Sequence, residues 1–196
     1  MADFFSFFFT AAAAYLLGSV PFGLLLARAF KGVDPRTSGS GNVGATNVAR
    51  LCGFKWGLLT LVCDLLKGFF PVWLLSGSDL ARVAGASAIL GHMFSCFLHL
   101  KGGKGVATTV GVFLAFAPIQ LVISGLTCLL VIWRSGYVSA GSLALVSLLP
   151  VLLLFSGRTG DFFFSLPISA LVIFAHRENI GRLRRGEEKA WLKKDG

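Results

Sequence analysis

Acidic side chains are scarce in this chain. Only nine Asp and Glu occur among 196 residues, and charged residues of both signs make up 14%, against about 25% in soluble domains. That scarcity excludes an ordinary water-facing surface. A hydrophobic content of 55% and a mean hydropathy of +0.78 point to lipid as the solvent instead. Cysteine is sparse too: Cys52, Cys63, Cys96 and Cys128 show no C-x-x-C pair or other metal spacing, so core thiols are expected, with neither disulfides nor a metal site. No G-x-x-x-x-G-K-[S/T] occurs, so a nucleotide is not implied, and there is no G-x-S-x-G elbow around Ser40. The first apolar run follows Met1-Ala2-Asp3 with no Lys or Arg ahead of it. It lacks the basic region of a cleavable signal peptide and is expected to remain as a helix.

What is present is apolar sequence, in runs of the roughly 20 residues that a bilayer crossing needs. The segments fall at about 4–30, 53–76, 81–99, 105–116, 117–133, 137–156 and 161–176. They predict an all-α integral membrane protein with seven transmembrane helices, and leave no room for a separate soluble domain. The region 105–133 divides at Ala117-Pro118, where proline removes a donor and disfavours helix at the residue before it. Charge supports that division. With seven spans and the N-terminus outside, one side receives fifteen of the eighteen Lys and Arg, the other receives Arg82 and Arg158, and Lys67 stays inside a span. Six spans would put the basic tail 177–196 opposite the basic first loop, against the positive-inside rule. The first loop, the third loop and the C-terminus are therefore expected to be cytoplasmic.

Two glycine-rich stretches fall on that side, SGSGNVGATN at 38–47 and KGGKGVATTVG at 101–111. Glycines let backbone N–H groups converge on a ligand, and a following helix start adds its positive end, which together suit a phosphate. Arg50 and Lys104 add full charges. Glycines of this kind also serve tight turns and close helix packing, but two such loops on one face, each with a cation, favour anion binding. The third cytoplasmic element is HRENIGRLRRGEE, 176–188. His176 is expected where membrane meets water, with Asn179 at i+3 on the same helical face. The Arg/Lys run beyond it reads as a topogenic, headgroup-binding tail.

SGSGNVGATNVAR, GHMF with KGGKGVAT, and HRENIGRLRRGEE resemble the three cytoplasmic motifs of the bacterial acyl-phosphate:glycerol-3-phosphate acyltransferases, the PlsY family. GSVPFG at 18–23 and DLLKGFFP at 64–71 are similar to that family as well, so the resemblance covers nearly the whole chain. It implies transfer of an acyl chain from acyl phosphate to the sn-1 hydroxyl of glycerol 3-phosphate, giving lysophosphatidate and phosphate for phospholipid biosynthesis. It also implies a multi-pass protein of the bacterial cytoplasmic membrane, one domain over 1–196, working as a monomer with no cofactor, metal or nucleic acid. Carried onto this chain, the motifs mark Ser40, Asn42, Thr46, Asn47 and Arg50 in the first loop. They mark Gly102, Gly103, Lys104 and Gly105 in the second, His176 and Asn179 in the third, and Ser139 in YVSAGS. Of these, His176, Asn179, Ser40, Lys104 and Arg50 are the candidate catalytic residues, and the others bind substrate.

The residue chemistry suits that activity. Both substrates carry phosphate and one carries a long acyl chain, so a site needs two anion cradles at the membrane surface and an apolar slot. An acyl phosphate is a mixed anhydride, so positioning and fixed positive charge can carry the reaction. The other glycerolipid acyltransferase signature, His-x-x-x-x-Asp, is absent: Phe97, Lys104 and Gly181 stand five places after His92, His99 and His176. Asp64 and Lys67, at i and i+3, read as a structural pair in a span. His92 and His99, two turns apart on one helix, lack a third ligand for a metal. The alternative function is a small transporter or channel for organic anions, which midplane charges and glycine-broken helices would serve. Clustering of the polar motifs at one face weighs against it.

Overall fold

The computed structural model describes residues 2–191, and every regular element in it is helical. In chain order these are α1 (Ala2–Ser19), α2 (Phe22–Lys31), α3 (Ala45–Cys52), α4 (Phe54–Leu74) and α5 (Leu80–Met93). A 3-10 turn at Cys96–Leu98 follows, then α6 (Val106–Phe116), α7 (Pro118–Ser135), α8 (Val138–Phe155), α9 (Thr159–Ala175) and α10 (Arg177–Arg184). Helix is the secondary structure that satisfies its own backbone inside lipid. The surface agrees with that solvent: Phe155 is 85% exposed, Leu74 71% and Trp133 68%, a disposition that water would penalise.

Five stretches are long and apolar enough to cross a membrane: Asp3–Lys31, Phe54–Leu74, Leu80–Leu98, Pro118–Ser135 and Val138–Phe155. A sixth crossing is available if α9 and α10, bent by 56° at His176, act as one span. The seven crossings expected from the sequence thus depend on α6. Its eleven residues reach roughly 16 Å at 1.5 Å per residue, about half of a hydrocarbon core. The sequence bounds this segment at 105–116, already shorter than the roughly 20 residues of a full crossing.

The chain divides into two compact units, Met1–Ala115 and Phe116–Gly196. In the first, small residues let helices approach closely. A Cβ on Gly18 would lie 2.2 Å from Ala88 O, and one on Gly91 2.2 Å from Tyr15 O, so α1 and α5 meet backbone to backbone. Gly68 and Gly111 do the same for α4 and α6, facing Thr108 O and Leu65 O. Pro21 interrupts the first span, and α1 ends at Ser19. In the second unit α7 packs on α8 and α8 on α9. There Arg158 donates to Phe116 O at 2.6 Å and pairs with Asp161 at 2.6 Å, which satisfies a carbonyl at the end of α6.

The close approach of α6 to α4 sets a testable cost. Gly111→Ala places a Cβ 1.9 Å from a backbone oxygen, and overpacking of this kind costs about 1–3 kcal/mol. Gly125 on α7 has nothing within 4 Å of its Cβ position. Thermal unfolding in detergent is expected to show a lower Tm for Gly111→Ala and an unchanged or higher one for Gly125→Ala.

Candidate active site

The first loop is organised by one amide. Asn47, in the first turn of α3 and 2% exposed, donates from Nδ2 to Pro35 O and Asn42 O (2.9 Å each) and shares one of its two hydrogens with Ser38 O at 3.1 Å. Its Oδ1 accepts from Ser40 N at 2.9 Å. Gly39 takes φ +68°, and a Cβ there would lie 2.2 Å from Asn47 Oδ1, so glycine is required on both counts. Asn42 Oδ1 caps Gly44 N at 2.8 Å, and Gly41 N donates to Ser38 O. At the loop entry Arg28 and Arg36 grip Asp34 at 2.6 and 2.7 Å. The Arg36 hydrogen bonds, with help from Arg28, hold that carboxyl well below the usual carboxylate range. Ser40 is exposed, while Asn42, Thr46 and Arg50 are half-buried.

The second loop lies across the end of α5. Gly102 N donates to Met93 O and Gly103 N to His92 O, both at 3.0 Å. A Cβ on Gly102 would meet His92 O at 2.0 Å, and one on Gly103 would meet His92 Nε2 at 2.1 Å. Lys104 follows, half-buried, ahead of Gly105 at φ +86° and the start of α6. The N–H groups of Ser40, Gly41 and Gly44 are thus bonded within the first loop and those of Gly102 and Gly103 to the end of α5, so these five are not the groups that would meet an anion. Positive charge in the two motifs comes from the side chains of Arg50, Lys101 and Lys104. His99 stands beyond the end of α5 with φ +51°, so it and His92 do not share a helical face as their spacing suggested.

In the second unit His176 is the corner between α9 and α10 and is 3% exposed. Its Nδ1 lies 2.8 Å from Val172 O. A carbonyl only accepts, so Nδ1 carries a proton and Nε2 is the basic nitrogen of the neutral ring. Asn179 Nδ2 goes to Glu188 Oε1 at 2.5 Å, so this amide hydrogen is committed to the tail. Glu188 also accepts from Ser139 Oγ (2.7 Å) and from Arg182 Nε (2.7 Å). Among the described residues no group of three or more His, Cys, Asp or Glu is arranged to hold a metal.

A sequence model of the family described as glycerol-3-phosphate acyltransferase matches residues 8–186. The chain belongs to that family. The glycerol-3-phosphate acyltransferase of Desulfovibrio desulfuricans is 57% identical over 186 residues, covering 93% of this chain and 83% of its own length. That of Nitratidesulfovibrio vulgaris is 60% identical over 187 residues, but this chain spans only 57% of it. The fold matches the crystal structure of PlsY (YgiH), an integral membrane glycerol 3-phosphate acyltransferase, in its glycerol 3-phosphate form. The TM-score is 0.91 with 41% identity, over 95% of this chain and 96% of that one. The lysophosphatidic acid form of the same protein matches with a TM-score of 0.88. An all-helical, multi-pass integral membrane protein is therefore established for this acyltransferase-family chain.

Three residues of the family member carry more than their sequence context announced. Asn47 shapes the first loop through four bonds, a duty invisible beside the polar residues that surround it. His92 supports Gly103, and only its position nine residues ahead of the KGGK stretch hints at this. Glu188 sits in a charged tail that reads as topogenic; its rarity as one of nine acidic residues was the available signal. Burial pushes the Glu188 carboxyl up, but hydrogen bonds from Ser139, Asn179 and Arg182 outweigh it, so the net shift is downward.

A depressed folded-state value makes the docking of 185–191 complete above the unfolded carboxyl value of 4.5. The stabilisation is lost as pH falls through the lower folded value. Trp191, whose N–H donates to Gly136 O at 2.7 Å, reports on this docking. Its emission, in a protein whose other three tryptophans are replaced, is expected to change at acid pH. Glu188→Gln is expected to remove that acid step.

Proposed function

We propose that this chain transfers an acyl group from acyl phosphate to the sn-1 hydroxyl of glycerol 3-phosphate, releasing lysophosphatidate and phosphate in phospholipid biosynthesis. The observation that carries the proposal is the match over 95% of the chain to an acyltransferase solved in its glycerol 3-phosphate form. Lys104 and Arg50 hold substrate phosphate as full charges, through charge-assisted hydrogen bonds. Ser40, Asn42 and Thr46 supply polar contacts at the rim of the first loop, and Ser139 does so in the second unit. Asn47 holds the first loop in shape, while Gly102, Gly103 and Gly105 let the second lie close to α5.

The reaction needs little activation. The sn-1 hydroxyl oxygen attacks the acyl carbonyl, phosphate departs, and the hydroxyl proton passes to a phosphate oxygen of the donor, which is basic and adjacent. His176 acts as a hydrogen-bonding positioner, held by Val172 O, and Asn179 is held by Glu188. Residues 1–196 serve as one acyltransferase domain, active as a monomer in the bacterial cytoplasmic membrane. Neither a cofactor nor a metal takes part.

Purified protein in detergent, given acyl phosphate and glycerol 3-phosphate, is expected to form lysophosphatidate without a sealed compartment, which a transporter would not. Lys104→Ala removes a charge-assisted contact worth about 1.5–3 kcal/mol, so turnover should drop at least about tenfold in folded protein. In the same assay His176→Gln should retain more activity than His176→Ala. A general base typically contributes about 10²–10⁴-fold, so equal loss of turnover in both variants, with glycerol 3-phosphate still bound, would make the histidine the base.

Orientation follows from the charge pattern: seven crossings, N-terminus outside, both glycine loops and the tail in the cytoplasm. A cysteine at Gly77 is expected to react with an impermeant reagent on intact cells, and one at Gly186 only after lysis. The reverse labelling would invert the topology.

A further inference from the structure

We propose that Asp64, Lys67 and His92 form a buried positioning network for the second glycine loop, acting on the reaction through Gly103 and Lys104. The inference rests on the reading that Lys104 holds substrate phosphate. Lys67 Nζ lies 2.8 Å from Asp64 Oδ1, with side chains 2% and 3% exposed. His92 Nδ1 lies 3.6 Å from the same oxygen. Ionic groups within a membrane span are costly and are retained where they do specific work. Here the work has a direction. Lys67 also donates to Val20 O at 2.9 Å, which ties the pair to the interruption between α1 and α2.

On its far side the His92 ring meets the loop. The three atoms nearest a Cβ at Gly103 are all imidazole atoms, beginning with Nε2 at 2.1 Å, while the His92 carbonyl receives the Gly103 N–H at 3.0 Å. Ring and backbone of one residue therefore form the floor under the residue that precedes Lys104. A cavity of ≈ 10 Å³, about the room of one water, is lined by Ser19, Asp64, Lys67, His92 and Ser95 among others. Ser19 Oγ and Asp64 Oδ1 are buried there with no well-aligned hydrogen-bond partner among the described residues, so Asp64 meets Lys67 and His92 through that oxygen by charge. On this polar, loosely filled side the ring is oriented by the Asp64 charge, and Asp64 by Lys67. A displacement of about 1 Å at a substrate-holding group can cost on the order of 10²-fold in rate, so a floor that tilts should be felt in substrate use.

The test is a double-mutant cycle read as KM for glycerol 3-phosphate and kcat, per folded enzyme in detergent. His92→Ala and Gly103→Ala are each expected to raise KM at least about tenfold. Because the three atoms nearest the new Cβ all belong to the ring, Gly103→Ala should add little once the ring is gone. Gly102→Ala, whose clash is with the His92 backbone oxygen, should be equally harmful in both backgrounds. If His92→Ala does not fold, Asp64→Asn keeps the shape while removing the orienting charge, and the same rise in KM is expected. Unchanged KM in the folded His92→Ala or Asp64→Asn enzyme overturns the proposal, as does an equal cost of Gly103→Ala with and without the ring. Lys104→Ala runs in parallel: normal kinetics there overturn the phosphate reading and this inference together. A crippled Lys104→Ala enzyme beside normal His92 and Asp64 variants overturns the positioning alone.

Discussion

Wherever a helix stops inside this protein it leaves carbonyls that lipid cannot hydrogen-bond, and each such group unsatisfied costs several kcal/mol. Several polar side chains of the interior serve those stops. Lys67 donates to Val20 O and Ser95 to Ser19 O at the end of α1. Tyr15 donates to Phe94 O just beyond α5, Arg158 to Phe116 O at the end of α6, and the His176 ring to Val172 O at the end of α9. Breaks in helices are tolerable here because each has a donor assigned to it. The same breaks are where the conspicuous motifs lie, so the polar residues that function requires and those that the backbone requires are intermixed.

This economy extends to the two glycine loops. Several of their backbone N–H groups close on a loop carbonyl, on Asn42 and Asn47 and on the end of α5, which ties each loop to its own surroundings. Glycine serves this by allowing close approach: Gly39 against Asn47 and Gly103 against His92 have no room for a methyl group. What the loops then present outward is side-chain chemistry, with hydroxyls and amides on the first and Lys104 on the second. For the proposed acyl-phosphate donor that inventory suffices, because the leaving group is already good and positioning two anions near each other is what the proposed reaction asks.

The acidic residues show the same division of labour. Asp34 locks the entry of the first loop between two arginines, Asp64 joins Lys67 to His92, Asp161 holds Arg158 over Phe116 O, and Glu188 gathers Ser139, Asn179 and Arg182. A chain with nine carboxylates spends four of them on joining segments. Each is paired with a cation, as burial or lipid proximity demands.

The sequence by itself determined the solvent, the helical class and the family. Apolar run length and a lack of charge leave a bilayer protein few choices, and GSGNVGATN, KGGKGVAT and HRENIG are local strings whose spelling survives any packing. It also placed the Asp64–Lys67 pair, because i and i+3 on one helix is a local relation. What it could not decide were relations between distant segments. That Glu188 returns 49 positions to Ser139, that His92 lies under Gly103, and that Asn47 faces inward to its own loop depend on where the chain turns. Hydropathy overcounts a short helix: the Ala117-Pro118 break already limits the segment to 105–116, and in the fold α6 is an apolar helix of only eleven residues. Spacing along the chain specifies contacts within one helix; contacts between segments require the tertiary path that brings their backbones together.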